Sequence, residues 1–136
     1  MIFVDTNVLV YAHDSSDRRR HEIATAVLRD TWISRMGVLS TQVLSEFYVV
    51  ATRKLRVPFT SREARAIINS YSAWKVVVVD PTSIIAATLL EEEHSFSFWD
   101  ALIIESAMRG GATEILSEDF QDRRQIGGLT IRNPFK

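Results

Sequence analysis

Short apolar runs alternate with longer segments of helical periodicity along this chain. The apolar runs predict strands at Ile2–Val4, Val38–Leu39, Val76–Val79, Glu114–Ser117 and Leu129–Ile131. Val76–Val79 consists of four β-branched residues, which is typical of a strand buried on both faces. Strands that alternate with helices indicate an α/β fold with a mainly parallel sheet.

Polar capping residues mark where most of the predicted helices begin. Thr60 and Glu63 form a capping box, and Asp80–Pro81 supplies a cap followed by proline at the first helical position. One predicted helix starts near Asn7. The others run from about Glu22 to Asp30, from Ser40 or Thr41 to about Lys54, from Thr60 to near Ser72, from Asp80 to about Glu93, and from Phe98, with Ser97 as its cap, to about Arg109. The pattern therefore predicts five strands and five or six helices.

The size and composition of the chain bound what it can be. Its 136 residues suit one domain, 1–136, with a substantial core, and the net charge of −1 argues against a surface dominated by basic residues. The absence of cysteine excludes disulfides and thiolate metal sites. The apolar N-terminus carries Asp5, so we expect no signal peptide, and no apolar run suggests a membrane helix. The expected compartment is the cytoplasm.

Four acidic residues occupy positions where the pattern places apolar side chains, or lie just past a strand. They are Asp5, Glu46, Asp100 and Asp119. Glu46 shares a helical stripe with Val43 and Val50, and Asp100 shares one with the apolar residues that follow it. In an open parallel sheet, ligands bind beyond the carboxyl ends of the strands. We therefore expect the four acids to converge there.

Three of these acids also have a purely structural interpretation, and Glu46 is the hardest of the four to explain in that way. Asp5 suits a helix cap, Asp100 suits the third helical position after Ser97, and Asp119 suits a turn. The remaining acids are expected to be ordinary surface charges. Glu105, for example, is predicted to form an exposed helical pair with Arg109.

Four crowded carboxylates without cations would repel one another and raise their own pKa values. A hard divalent cation, Mg²⁺ or Mn²⁺, resolves this repulsion because such ions take oxygen ligands. The three histidines, His13, His21 and His94, are scattered and fit no zinc spacing. The sequence therefore predicts a magnesium or manganese site and argues against a zinc hydrolase.

Four motifs resemble, in order and spacing, those of PIN-domain ribonucleases, and VapC-type toxins of toxin–antitoxin pairs most of all. The motifs are MIFVDTNVLVYA, the glutamate of LSEF, SFWDALII and ILSEDF. The resemblance implies a three-layer α/β/α sandwich, a metal-dependent endoribonuclease, a homodimer and a cognate antitoxin. By position, Asp5, Glu46, Asp100 and Asp119 match the acidic set, and Thr6, Asn7 and Ser117 match orienting residues.

The chain departs from this resemblance at one acidic position. Many relatives carry a further acid two residues after the one that matches Asp119, but Gln121 stands there and Asp122 follows it. The role of Asp122 is therefore open, and Glu118 is expected to be exposed.

An RNA substrate requires cationic side chains around the acidic residues. The candidates are the clusters Arg18–Arg20, Arg53–Lys54–Arg56 and Arg123–Arg124, each of which also suits a solvated surface. Trp99 is either a platform for base stacking or a core aromatic.

Two other functions stay open at this point. A PIN-like fold with an inert site would serve as a module that binds RNA or protein. Phosphotransferases of the haloacid-dehalogenase type also place an aspartate after the first strand, but their second carboxylate would fall at Asn7.

Overall fold

The computed structural model describes all residues, 1–136, as six strands and six helices. The strands are β1 (Ile2–Val4), β2 (Gly37–Ser40), β3 (Lys75–Val77), β4 (Glu114–Leu116), β5 (Gln125–Ile126) and β6 (Leu129–Arg132). The helices are α1 (Thr6–His13), α2 (Arg18–Ser34), α3 (Thr41–Arg53), α4 (Ser61–Tyr71), α5 (Pro81–His94) and α6 (Phe98–Arg109). None of these helices has the combined length and apolar character needed to cross a membrane.

The strands form one sheet in the order β3-β2-β1-β4-β6-β5. All neighbouring pairs are parallel except β5 and β6. The chain moves from β1 to β2 and β3 on one side, and then crosses to β4 on the other. The strand order therefore reverses between β1 and β4, and a crevice opens beyond their carboxyl ends.

The helices form two packed groups. Helix α1 packs against α2 and α3, and α3 packs against α4, while α5 packs along α6. Connections between parallel strands are right-handed, so the face that a connecting helix covers depends on the direction in which the chain moves along the sheet. The chain moves one way from β1 to β3 and the other way from β3 to β4, and the two groups of helices therefore cover opposite faces. The architecture is the expected α/β/α sandwich with a mainly parallel sheet.

The central strands are buried on both faces, as their apolar sequence requires. Phe3 and Val4 of β1, Leu39 of β2, and Ile115 and Leu116 of β4 have no solvent exposure. These strands end where side chains become polar: Ser40 caps α3, and Asp5 caps α1. The core thus holds rigid the strand ends from which the candidate residues project.

Three sequence predictions about elements were wrong in detail. β3 stops at Val77 and lies at the edge of the sheet, so Val78 is 61% exposed instead of buried on both faces. Helix α2 begins at Arg18, because Asp17 caps it through the Arg20 amide. The two-residue strand β5 pairs with β6 beyond a Gly127–Gly128 turn, and it is too short to leave an apolar pattern.

Gly37 of β2 provides a test of the packing. A Cβ atom on this residue would lie 2.3 Å from the Trp74 ring, whereas one on Gly128 would meet nothing within 4 Å. We expect Gly37→Ala to lower the free energy of unfolding by about 1–3 kcal/mol, as overpacking does. Urea unfolding should show little change for the control, Gly128→Ala; an equal effect of both would contradict this packing.

Candidate functional site

Asp5 lies at the end of β1 and is almost completely buried. The Thr6 amide donates a hydrogen bond of 2.7 Å to its Oδ1, and the Ser117 hydroxyl donates one of 2.7 Å to its Oδ2. The Asp5 amide in turn donates to the Leu116 carbonyl oxygen on β4. The carboxylate therefore caps α1, as one interpretation of the sequence held, and also joins the ends of β1 and β4.

Glu46 lies on α3, half-buried, and contacts the residue after Asp5. The Thr6 hydroxyl donates a 2.8 Å hydrogen bond to its Oε2, and the Gln42 amide donates one of 2.9 Å to its Oε1. The Glu46 carboxylate is thus fixed from two helices, α1 and α3. Gln42 had no signal in the sequence beyond its position one turn before Glu46.

Asp119 lies at the surface beyond β4 and is held by Asn7. The Asn7 amide nitrogen donates to Asp119 Oδ2 at 2.9 Å and to the Ser117 hydroxyl at 3.4 Å. The same hydroxyl accepts from the Asp119 amide at 3.1 Å while it donates to Asp5. Ser117 therefore uses its one donor and both acceptor positions at this site.

Asp100 occupies the third position of α6, where its amide donates to the Ser97 cap at 3.2 Å. Burial raises the pKa of its carboxyl above the ordinary value, and the negative charges of Asp119 and Glu46 raise it further. The helix-cap interpretation of Asp100 is thus correct. The structure also places Asp100 within electrostatic reach of two of the other acids.

We call Asp5, Glu46, Asp100 and Asp119 the acidic centre. Burial, together with the charges of Asp119 and Glu46, raises the pKa of Asp5 to about 7, against the lowering effect of its two hydrogen bonds. None of the four carboxylates forms an ion pair. The donor set is oxygen only, which suits a hard cation. As the side chains stand, however, no group of three or more could hold a metal ion.

A second set of contacts fixes the segment that carries Asp119. Glu118 was predicted to be exposed, but its carboxylate accepts from the Tyr11 hydroxyl at 2.9 Å and pairs with Arg20 at 3.1 Å. Arg20 also pairs with Asp17 at the start of α2. Because α1 and α2 together hold Glu118, the backbone on either side of it is tied down. No local sequence pattern predicts this contact, because Glu118 lies about 100 residues from Tyr11 and Arg20.

Two of the three predicted basic clusters are engaged within the chain. Arg18 pairs with Glu22, Arg19 donates to the Phe135 carbonyl oxygen, and Arg20 pairs with Glu118 and Asp17. Arg124 lies over the Phe96 ring at 4.3 Å, and Arg123 is 3.9 Å from Asp122. Arg53, Lys54 and Arg56 form no ion pair.

Two further acids have contacts of their own. Asp122 accepts from the Asn133 amide at 2.8 Å, so its carboxylate holds the C-terminal segment. Glu105 pairs with Arg109 at 3.0 Å as expected, but the prediction that it is exposed was wrong, because Glu105 is buried. Neither residue contacts the acidic centre.

A cleft of about 630 Å³ begins at the acidic centre and runs between α1 and the end of α3. Glu46, Asp119 and Asn7 line one part of it, and Lys54 and Leu55 line another. One wall is apolar, formed by Val10 and Val50. The cleft thus combines a carboxylate cluster with a lysine and apolar side chains.

Residues 2–125 match the family model of the PIN domain. The chain belongs to the PIN domain family. No curated protein sequence matches this PIN domain.

Solved structures share the architecture of this PIN domain. Mycobacterium tuberculosis VapC20, a toxin that cleaves the sarcin–ricin loop, is 24% identical over 88% of this chain and 92% of its own, with a TM-score of 0.68. A Klebsiella pneumoniae toxin–antitoxin complex is 18% identical over 98% of both chains, with a TM-score of 0.69. FitAB bound to a DNA fragment is 15% identical over 100% and 96%, with a TM-score of 0.71.

The buried Asp5 makes the stability of this PIN domain depend on pH. Its pKa is about 7 in the folded chain, against an ordinary value of 3.8 that the unfolded chain should show. Between these values the folded chain holds a proton that the unfolded chain has released. The free energy of unfolding in EDTA should therefore fall as pH rises from about 4 to 7, by about 1.4 kcal/mol for each unit of pKa difference.

Chemical denaturation at pH 5 and pH 8 measures this dependence. Asp5→Asn should flatten it, because the amide does not ionise, whereas Asp30→Asn on the exposed face of α2 should leave it as in the wild type. A wild-type slope in Asp5→Asn would contradict the assignment of the raised pKa to Asp5.

Proposed function

We propose that this PIN domain is a Mg²⁺- or Mn²⁺-dependent endoribonuclease and the toxin of a toxin–antitoxin pair. The observation that carries the proposal is the acidic centre: four electrostatically coupled carboxylates, without a cationic partner, at the point where the strand order reverses. Such a cluster is costly unless a cation binds it. An enzyme that acts on phosphodiester bonds has a use for that cation.

Asp5, Asp100 and Asp119 are the proposed metal-binding residues, with Glu46 as a further ligand or as the acceptor for a bound water. Since no three of them converge as they stand, binding requires at least one side chain to move. When bound, the metal would lower the pKa of a water molecule and neutralise charge on the scissile phosphate. Water as the nucleophile leaves the RNA 2′-hydroxyl unused, so the expected products carry 5′-phosphate and 3′-hydroxyl ends.

The other polar residues of the site position these carboxylates. Ser117 and the Thr6 amide hold Asp5 by both oxygens, Thr6 and Gln42 hold Glu46, and Asn7 turns Asp119 toward the crevice. Donors of this kind fix ligand orientation and typically alter metal affinity 10- to 100-fold when removed. We assign Thr6, Asn7 and Ser117 this positioning role.

The proposed RNA path follows the cleft toward Lys54. Lys54 lines the cleft, and the adjacent Arg53 and Arg56 are exposed without ion pairs, so these cations are available for phosphate groups. The apolar wall of Val10 and Val50 offers a surface for the tail of a cognate antitoxin. An antitoxin arginine that reached the acidic centre would supply the missing positive charge.

The proposed homodimer finds support in helix α5. Ile85 and Leu89 lie one turn apart on this helix and are both more than 60% exposed, and Val78 at the end of β3 is equally exposed. Exposed apolar side chains one turn apart on a helix are a feature of protein interfaces when they form part of a larger patch.

Cleavage of RNA by purified protein, freed of any antitoxin, tests the proposed activity. Asp5→Asn and Asp100→Asn should each lower the rate at least about 100-fold, since loss of positioning residues alone costs 10- to 100-fold. Both variants should also weaken Mn²⁺ binding measured by calorimetry. Asp122→Asn, whose carboxylate holds the C-terminal segment, is the matched control and should retain both properties.

Undiminished cleavage by both aspartate variants would overturn the site assignment. RNA binding by the wild type without cleavage of any RNA would favour the inert binding module. A phosphorylated Asp5 trapped from a phosphate donor would favour the phosphotransferase.

The dimer has a separate test in solution. Leu89→Glu places a charge in the exposed stripe of α5 and should convert the dimer to a monomer in light scattering. Val57→Glu, at an even more exposed valine in the loop after α3, should leave the mass of the dimer unchanged. A monomeric wild type at micromolar concentration would refute the dimer directly.

A further inference from the structure

A second pocket, of about 320 Å³, adjoins the acidic centre on the side away from Lys54. Its lining includes Glu46, Gln42 and Trp99, with Val79 and Leu102 as apolar side chains. Because Glu46 lines both this pocket and the cleft, the two meet at the acidic centre. We call it the Trp99 pocket.

Trp99 is exposed at the position directly before Asp100. Its side chain is 63% exposed, although it lies in the first turn of a well-packed helix. The Phe98 ring meets its indole edge-on, with centroids 5.1 Å apart and planes at 74°. The prediction of a core aromatic is therefore wrong, and the indole ring is available for a flat ligand.

Gln42 joins this tryptophan to the acidic centre and leaves one polar atom unused. Its amide nitrogen donates to Glu46 Oε1 at 2.9 Å and to the Trp99 carbonyl oxygen at 3.3 Å. Because both partners are acceptors, the orientation of the amide is settled. Its Oε1 is buried and has no hydrogen-bond partner, in a residue that is only 9% exposed. Unpaired buried acceptors are rare in folded proteins and call for an explanation.

We propose that the Trp99 pocket binds a nucleobase of the RNA, next to the phosphate that is cleaved. The base stacks on the Trp99 indole against Val79 and Leu102. Gln42 Oε1 is covered in the free protein, so the Gln42 side chain shifts toward the base and accepts a hydrogen bond from its exocyclic amino group. This inference rests on the proposed ribonuclease function and adds a subsite to it. Adenine, cytosine and guanine carry such an amino group and uracil does not, so the pocket discriminates against uracil.

The charges around the pocket favour a base over a phosphate at this position. Glu46 borders the pocket, and no lysine or arginine lines it. An anionic group would be repelled there, whereas a neutral aromatic ring with a donor on its edge meets apolar walls and an acceptor. Base stacking on aromatic side chains is common in the recognition of single-stranded RNA.

Kinetics of paired variants test the subsite. Trp99→Ala should lower kcat/KM on single-stranded RNA by about 5- to 150-fold, the range for loss of one stacked base. Trp99→Phe should restore most of it. Hydrolysis of a small phosphodiester without a nucleobase, bis(p-nitrophenyl) phosphate, should be unchanged in both variants. Equal losses on both substrates would assign Trp99 a structural role and overturn the proposal.

Binding measurements separate this inference from the proposed function. In EDTA, fluorescence anisotropy of labelled adenylate and uridylate oligonucleotides should show tighter binding of adenylate. Trp99→Ala should weaken both, and Gln42→Met should remove the preference. If the wild type cleaves no RNA but shows this pattern, the subsite stands without the nuclease. Unchanged RNA affinity in Trp99→Ala, or its conversion to a monomer in light scattering, would overturn the subsite.

Discussion

The site depends on one buried carboxylate, that of Asp5, which lies between β1 and β4, where the strand order reverses. Burial raises its pKa to about 7, so its charge is held against a substantial desolvation penalty. Two short hydrogen bonds, from Thr6 and Ser117, offset part of that penalty. Because these donors come from α1 and from the end of β4, the same bonds that hold the carboxylate also join the two halves of the crevice.

Ser117 links the parts of the site through the hydrogen bonds of its hydroxyl group. Its buried hydroxyl contacts Asp5, Asn7 and the Asp119 amide at once, so a shift of the segment after β4 would disturb both aspartates. The Glu118 carboxylate, held by Tyr11 and Arg20, restrains that segment from the outer side. A short surface turn is thereby made part of a rigid site, which positioning of ligands requires.

The sequence predicted the fold well because strands, helices and their caps leave local patterns. The apolar run Ile2–Val4 indicates a strand, and the segments after it show strand or helix periodicity. The caps at Thr60, Asp80 and Ser97 form as predicted. It failed where the decisive partner is distant or where position in the sheet matters. Val78 is apolar yet exposed because β3 is an edge strand, and Glu118 is polar yet enclosed because Arg20 and Tyr11 fold onto it.

Contacts between residues far apart in the sequence also determine which of the basic residues remain free to bind a ligand. The sequence offers three basic clusters of equal merit, but the fold uses Arg20 to hold Glu118 and places Arg124 on Phe96. Only the cluster around Lys54 keeps its charges unpaired, and Lys54 lines the cleft that leads to the acidic centre. The crevice therefore has positive charge on one side of the acidic centre and an uncharged aromatic side chain, Trp99, on the other. A bound nucleic acid would therefore meet phosphate-binding and base-binding surfaces on opposite sides of the acidic centre.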